Sequence, residues 1–281
     1  TTMRTGIEKS RNLMTIRLAN NVGIDKILNT VEDFGMNNID NEHLSMALGS
    51  SEVSLLELTN SYAIIANGGK KIEPILIKSI FSKEGLSIFN SNKKKCLNCK
   101  VSDLKKNNKL PTIISSKKNI VDEKIAYQIT SMMEGVVKRG TAKKLNYLNV
   151  PIAGKTGTTN DNKDAWFIGY SPDLVIGVYV GYDKPKNLGY KETGSSVAVP
   201  IFGHFAKNIN LNSNKIPFRV PSGLSFVKID SKTGLASNSN QSILEPFIFG
   251  TEPYNNNSIN ILDSLGDYNN NSISGTGGLF N

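Results

Sequence analysis

Apolar and polar positions divide the chain into a helical first part and a strand-rich second part. In "MRTGIEKSRNLMTIRLAN", residues 3–20, Ile7, Leu13, Ile16 and Leu18 recur at roughly helical spacing with a break near Ser10, which places Ser10 at a helix start. "SSEVSLLELTNSYAIIANGG", residues 50–69, sets a serine before acidic first-turn residues, continues as an apolar helical stripe and stops at a glycine pair. "IEPILIKSIFSKEGLSIF" reads as two short strands across a Lys-Glu-Gly turn. A further helix, "DEKIAYQITSMMEGVVKR", opens on Asp122 and Glu123 and closes at Gly140, with Met132 and Met133 as core packing.

From residue 150 the pattern becomes that of strands. "VPIAGKTGT", "DAWFIGYSP" and "LVIGVYVGYD" predict an antiparallel meander, with Ser171, Pro172 and Asp173 turning between the last two. "SSVAVPIFGHFAKNIN", residues 195–210, returns to helix, with Pro200 near its first turn, and "PFRVPSGLSFVKIDSKTGLASNSN" predicts a small β extension. The chain therefore divides into a main domain over 1–210, a C-terminal β extension over 211–254 and a tail over 255–281. That tail holds eight Asn, four Gly and four Ser with no Lys or Arg, a composition expected to be disordered.

Charge changes this picture little. Of the net +9, residues 93–118 supply +8, from nine lysines against Asp103 alone, so a solvated basic loop over 91–119 accounts for it. No aromatic platform is interleaved with those lysines, which argues against nucleic acid as a partner. Cys96 and Cys99 lack the second pair a four-cysteine zinc site needs, and a local disulfide and two free thiols both remain open. No apolar run approaches the ~18 residues of a membrane-spanning helix, and the first residues lack the apolar stretch of a signal peptide, so any anchor or export signal lies outside this chain.

The chemistry narrows by residue type. A Ser-His-Asp site needs a histidine base, and only His43 and His204 exist; both sit in settings that suit structural roles. Neither a metal centre nor a cofactor is expected, which leaves lysine and serine chemistry. "AGKTGTTNDNKDAWFIGY" places Lys155 among Thr156, Gly157, Thr158 and Thr159, a group able to grip an anion. The tripeptide alone means little, because Lys232-Thr233-Gly234 repeats it in a setting that reads as a turn.

With "KSRNLMTIRLANNVGI", "ALGSSEVSLLELTNSYAIIANGG", "MMEGVVKRGTA", "AGKTGTTNDNKDAWFIGYSP" and "EPFIFGTEP" in this order, the chain resembles the class A penicillin-binding proteins over roughly residues 3–254. The superfamily signature combines S-x-x-K, S-x-N and K-T-G. The resemblance implies an α+β fold, an antiparallel sheet flanked by helices as in serine β-lactamases, and a D,D-transpeptidase that cross-links peptidoglycan through a serine acyl-enzyme. It assigns Ser10 to proton relay, Lys155 to keeping the cleft positive, Asn12 to the donor amide, Thr156 and Thr158 to the terminal carboxylate and the Thr158 N–H to the oxyanion, while Gly157 lets the substrate backbone approach. Its implied partners are stem peptides, a D-Ala-D-Ala donor and an amine acceptor, together with β-lactams. The implied location is the inner membrane, facing the periplasm.

The nucleophile is missing from this pattern. Ser91-x-x-Lys94, Ser102-x-x-Lys105, Ser115-x-x-Lys118 and Ser225-x-x-Lys228 all follow the S-x-N element, whereas the family order puts S-x-x-K first, and three of them lie in the lysine loop, where no apolar helix could desolvate a lysine. The expectation is an N-terminally truncated domain, inactive alone, whose serine is carried upstream or on a second polypeptide. A β-lactamase or D,D-carboxypeptidase of the same fold, and a non-catalytic remnant or binding module, are the alternative readings.

Overall fold

The computed structural model describes residues 2–36, 43–91, 95–97, 110, 112–114 and 118–253. The Asn-rich tail, Cys99 and most of the basic loop, including Ser102 and Ser115, lie outside the described residues. Three helices come first: α1 (Met3–Glu8), α2 (Asn12–Val22) and α3 (Ile24–Asp33). The break expected near Ser10 is real, but Ser10 does not begin a helix. Arg11 is the N-cap of α2 without a side-chain cap bond, and Ser10 stands in the link with φ of 52°, a left-handed backbone unusual for a non-glycine residue. Leu13 and Leu18, two of the apolar residues at helical spacing, are exposed, and Ala19 is the buried residue of α2.

Helix α4 (Leu55–Ala66) starts where the sequence indicates. The Ser54 hydroxyl accepts from the Glu57 N–H and the Glu57 carboxylate accepts from the Ser54 N–H, a full capping box; the Ser54 hydroxyl, donating to that carboxylate at 2.7 Å, and then the Ser54 N–H lower the Glu57 pKa. Strands β1 (Ser79–Phe81) and β2 (Ser87–Asn90) pair antiparallel across the Lys-Glu-Gly turn. Inside the expected basic loop, β3 (Lys95–Leu97) and β4 (Thr112–Ile114) form another antiparallel pair that the polar sequence does not suggest. Asp122 caps α5 (Glu123–Lys138), accepting from the Lys124 N–H, and Met133 of α5 is core.

The meander forms the central sheet, β5 (Ala153–Thr158), β6 (Asp164–Tyr170) and β7 (Val175–Gly181), in the order β5-β6-β7 with antiparallel pairing throughout. The Ser171 hydroxyl closes the β6–β7 turn by accepting from the Asp173 and Leu174 N–H groups. On one sheet face Phe167 meets Phe202 of α6 (Val199–Asn208) edge-on at 4.9 Å. On the other, a Cβ placed on Gly177 of β7 would strike Thr59 and Leu55 of α4. Ala153 of β5 packs with Met133 of α5, so helices enclose the sheet. A π-helical turn, Gly194–Ala198, leads into α6, and Pro200 sits in its first turn as expected. The β extension is an antiparallel pair, β8 (Leu224–Ile229) with β9 (Ile243–Ile248).

Candidate active site

Small residues put Lys155 where it is. Ala153 is fully buried, and a Cβ on Gly154 would lie 2.7 Å from the Ile168 carbonyl, so only this minimal pair lets β5 pack so closely on its surroundings. Lys155 follows on a strand that pairs on one side only among the described residues. Alternation along β5 sets Lys155 and Gly157 on one face and Thr156 and Thr158 on the other. Gly157 faces Trp166, whose Cβ would be 3.1 Å from a Cβ added at the glycine.

The Lys155 Nζ reaches across 145 positions of sequence to donate to the Ser10 Oγ at 2.8 Å, and it donates also to the Thr156 carbonyl at 2.9 Å. Burial without a compensating charge disfavours the ammonium and brings its pKa down from the ordinary 10.5 to about 8. At neutral pH the amine is thus mostly protonated, and it lies within about one pH unit of switching. Among the described residues no carboxylate pairs with it.

The other expected residues divide. Thr158 is exposed and its Oγ1 accepts from the Gly194 N–H at 3.0 Å, which leaves its own O–H free to donate. Thr156, on the same face, is engaged instead by Thr141, sharing a 2.7 Å hydrogen bond with its hydroxyl. Asn12 is exposed at the first position of α2, two residues after Ser10. Ser10, Lys155 and Thr156 are therefore joined directly, whereas Thr158 is tied to the π-helical turn.

Sequence reading missed three residues around this group. Thr141 bonds Thr156, the Ser195 hydroxyl donates to the Thr141 carbonyl at 2.6 Å, and Gly194 lies so close to β5 that a Cβ there would be 2.5 Å from the Gly157 and Trp166 carbonyls. The hydroxyls of "RGTA" and "TGSSVAV" were the available signal. Two other sequence candidates fall away on geometry. In Lys232-Thr233-Gly234 the Asp230 carboxylate accepts from the Lys232 and Thr233 N–H groups, and Gly234 takes φ of 78°, so this copy is a turn as expected. Ser225 lies on strand β8, donating to the Glu252 carboxylate, and not at a helix start beside an apolar-buried lysine. His204 is exposed on α6 and bonds Asn208; His43 is exposed as well.

An antiparallel sheet enclosed by helices, with a lysine on one of its strands held against a serine from the link between two helices, is the architecture of the penicillin-binding and serine β-lactamase superfamily. The family described as the penicillin-binding protein transpeptidase domain matches residues 1–207. The chain belongs to this transpeptidase family. It is 46% identical over 237 residues to penicillin-binding protein 1A of Rickettsia conorii, covering 83% of this chain and 30% of that protein. It is 30% identical over 262 residues to penicillin-binding protein 1A of Pseudomonas aeruginosa, covering 83% and 32%. The crystal structure of penicillin-binding protein 1A from Haemophilus influenzae superposes with a TM-score of 0.75 at 28% identity, covering 91% of this chain and 41% of that one. The chain thus spans about a third of the length of such relatives.

Proposed function

We propose that this chain supplies two walls of the acyl-enzyme cleft of a peptidoglycan D,D-transpeptidase, with the attacking serine contributed from outside residues 1–281. The observation that carries the reading is the 2.8 Å bond from Lys155 to Ser10, which unites the K-T-G and S-x-N elements of the signature in one place.

In this reading the serine oxygen attacks the penultimate D-Ala carbonyl of a donor stem peptide, the C–N bond breaks, and free D-Ala leaves as its nitrogen takes the proton that the attacking hydroxyl gives up. Ser10 stands between the cationic Lys155 and that nitrogen and relays the proton. Lys155 and the free hydroxyl of Thr158 attract the donor carboxylate, and the Thr158 N–H serves the developing oxyanion, an effect worth about 3 kcal/mol in comparable sites. Asn12 holds the donor amide; Thr156 acts with Thr141 as part of the support beneath β5. An amine of a second stem peptide then attacks the ester, releasing the serine and leaving an amide cross-link. A β-lactam enters by the same chemistry, its ring C–N bond opening in place of the D-Ala bond, and its remnant stays attached. The whole protein acts at the inner membrane on the periplasmic side.

Mass mapping of the protein made from its complete reading frame, treated with penicillin, tests the assignment. The penicilloyl group is expected on a serine of an S-x-x-K outside residues 1–281. A penicilloyl peptide from within the chain, Ser225 included, would overturn it, and amine transfer with a stem-peptide acceptor separates cross-linking from hydrolysis.

A further inference from the structure

Four charged side chains from three distant segments meet beside the link that carries Ser10: Arg4 and Glu8 of α1, Arg139 just after α5, and Glu245 of β9. Arg4, Glu8 and Glu245 are each no more than 6% exposed. Two cations and two anions balance, which is what permits charge at this depth. Arg4 Nε donates to Glu245, its Nη1 to the Ser131 carbonyl at 2.9 Å and its Nη2 to the Ser131 hydroxyl at 2.8 Å. Arg139 grips the Glu8 carboxylate with Nε at 3.3 Å and with Nη2.

Helix α5 and the turn after it are shaped to receive Glu8. A Cβ at Gly135 would fall 1.9 Å from the Glu8 Oε1, and one at Gly140 would fall 2.3 Å from the Glu8 carbonyl. Glu8 is the last residue of α1, two before Ser10, and its carbonyl accepts from the Thr141 N–H at 3.2 Å. Thr141 in turn bonds Thr156, next to Lys155. The Lys9 Nζ adds a second tie, donating to the Arg139 carbonyl at 2.7 Å. The C-terminal hairpin clamps the other end of α1, where the Ser231 carbonyl accepts from the hydroxyls of Thr2 and Thr5 at 2.8 Å. The left-handed turn at Ser10 persists only if its surroundings over-determine it, and these bonds are what surround it.

We propose that Arg4, Glu8, Arg139 and Glu245 are positioning residues that hold the Ser10 hydroxyl on Lys155, so that the C-terminal β8–β9 hairpin acts on the catalytic site through α1. This rests on the role given to Ser10 above. It assigns the hairpin a task in the chemistry, although the Lys155 Nζ bonds to Ser10 and Thr156 and not to the hairpin.

The test uses protein made from the complete reading frame. Glu245→Gln is expected to slow acylation by a labelled penicillin about tenfold or more with reversible binding unchanged. It is also expected to move the pH at which the rate falls upward from about 8, as Lys155 loses its partner and hydrates. Glu245→Asp should restore part of the rate. Hydrogen exchange reads the same link without chemistry: the Ser10 and Thr141 amides lose protection about tenfold in Glu245→Gln while β6 amides keep theirs. If Glu245→Gln does not fold, Arg4→Met/Glu245→Met removes the ion pair without stranding a charge and is expected to show the same losses. A folded variant of either kind with wild-type acylation, pH profile and exchange overturns the proposal. If Ser10→Ala itself acylates normally, the role assigned to Ser10 falls instead.

Discussion

At the scale of single residues, Lys155 and Ser10 carry consequences that differ in sign. Burial lowers the Lys155 pKa from 10.5 to about 8, so the fold binds fewer protons than the unfolded chain between those values. Its contribution to stability is therefore fully present above about 10.5 and is lost as pH falls through about 8. The cationic form that the cleft uses has the opposite dependence, and penicillin acylation is expected to decline as pH rises through about 8. Lys155→Arg keeps the charge at every accessible pH, so whatever rate it retains should lose that limb in a pH–rate profile. Ser10 separates stability from activity. With φ of 52° the position favours glycine, and thermal melts should find Ser10→Gly more stable than Ser10→Ala by about 1 kcal/mol. Both remove the hydroxyl, so both should slow acylation alike.

At the scale of elements, what was legible in the sequence follows from how local each cause is. The meander was readable because its strands are short runs rich in β-branched and aromatic residues and Ser171-Pro172-Asp173 supplies its turn; α4 was readable because Ser54 and Glu57 form a box within four residues. The division of α1 from α2 was only half readable, since the break near Ser10 showed but its left-handed backbone, held by contacts more than a hundred positions away, did not. Arg4 and Glu8 look like solvent-facing charges on a short helix, and nothing local reveals partners at Arg139 and Glu245. The Lys155–Ser10 pair was reached through the family resemblance, and the Thr141–Ser195–Gly194 support was not. Gly135 shows the same contrast. In an ordinary helix interior Gly→Ala stabilises by about 1 kcal/mol, but here the added Cβ would occupy the Glu8 carboxylate, so Gly135→Ala should instead lower the melting temperature. A rise would mean that α5 is not notched for Glu8.

At the scale of the whole molecule, the chain has the sheet of the transpeptidase family together with large apolar side chains at its surface. Leu13 is 64% exposed on α2 and Leu76 is 99% exposed before β1, while β7 ends the sheet with no further strand beside it among the described residues. Residues 1–281 expressed alone should therefore bind an apolar dye more strongly, per mole, than protein from the complete reading frame, and equal binding would show that this surface is not covered there. The claim that unites these scales is that Lys155 of this chain lines the cleft where a serine from elsewhere is acylated. It is tested most directly by the rate of labelled-penicillin acylation of protein from the complete reading frame, wild type against Lys155→Ala, at matched folding by circular dichroism. A fall of about a hundredfold is expected from removing the charge that holds Ser10 and attracts the donor carboxylate, and equal rates for the two proteins would contradict this role.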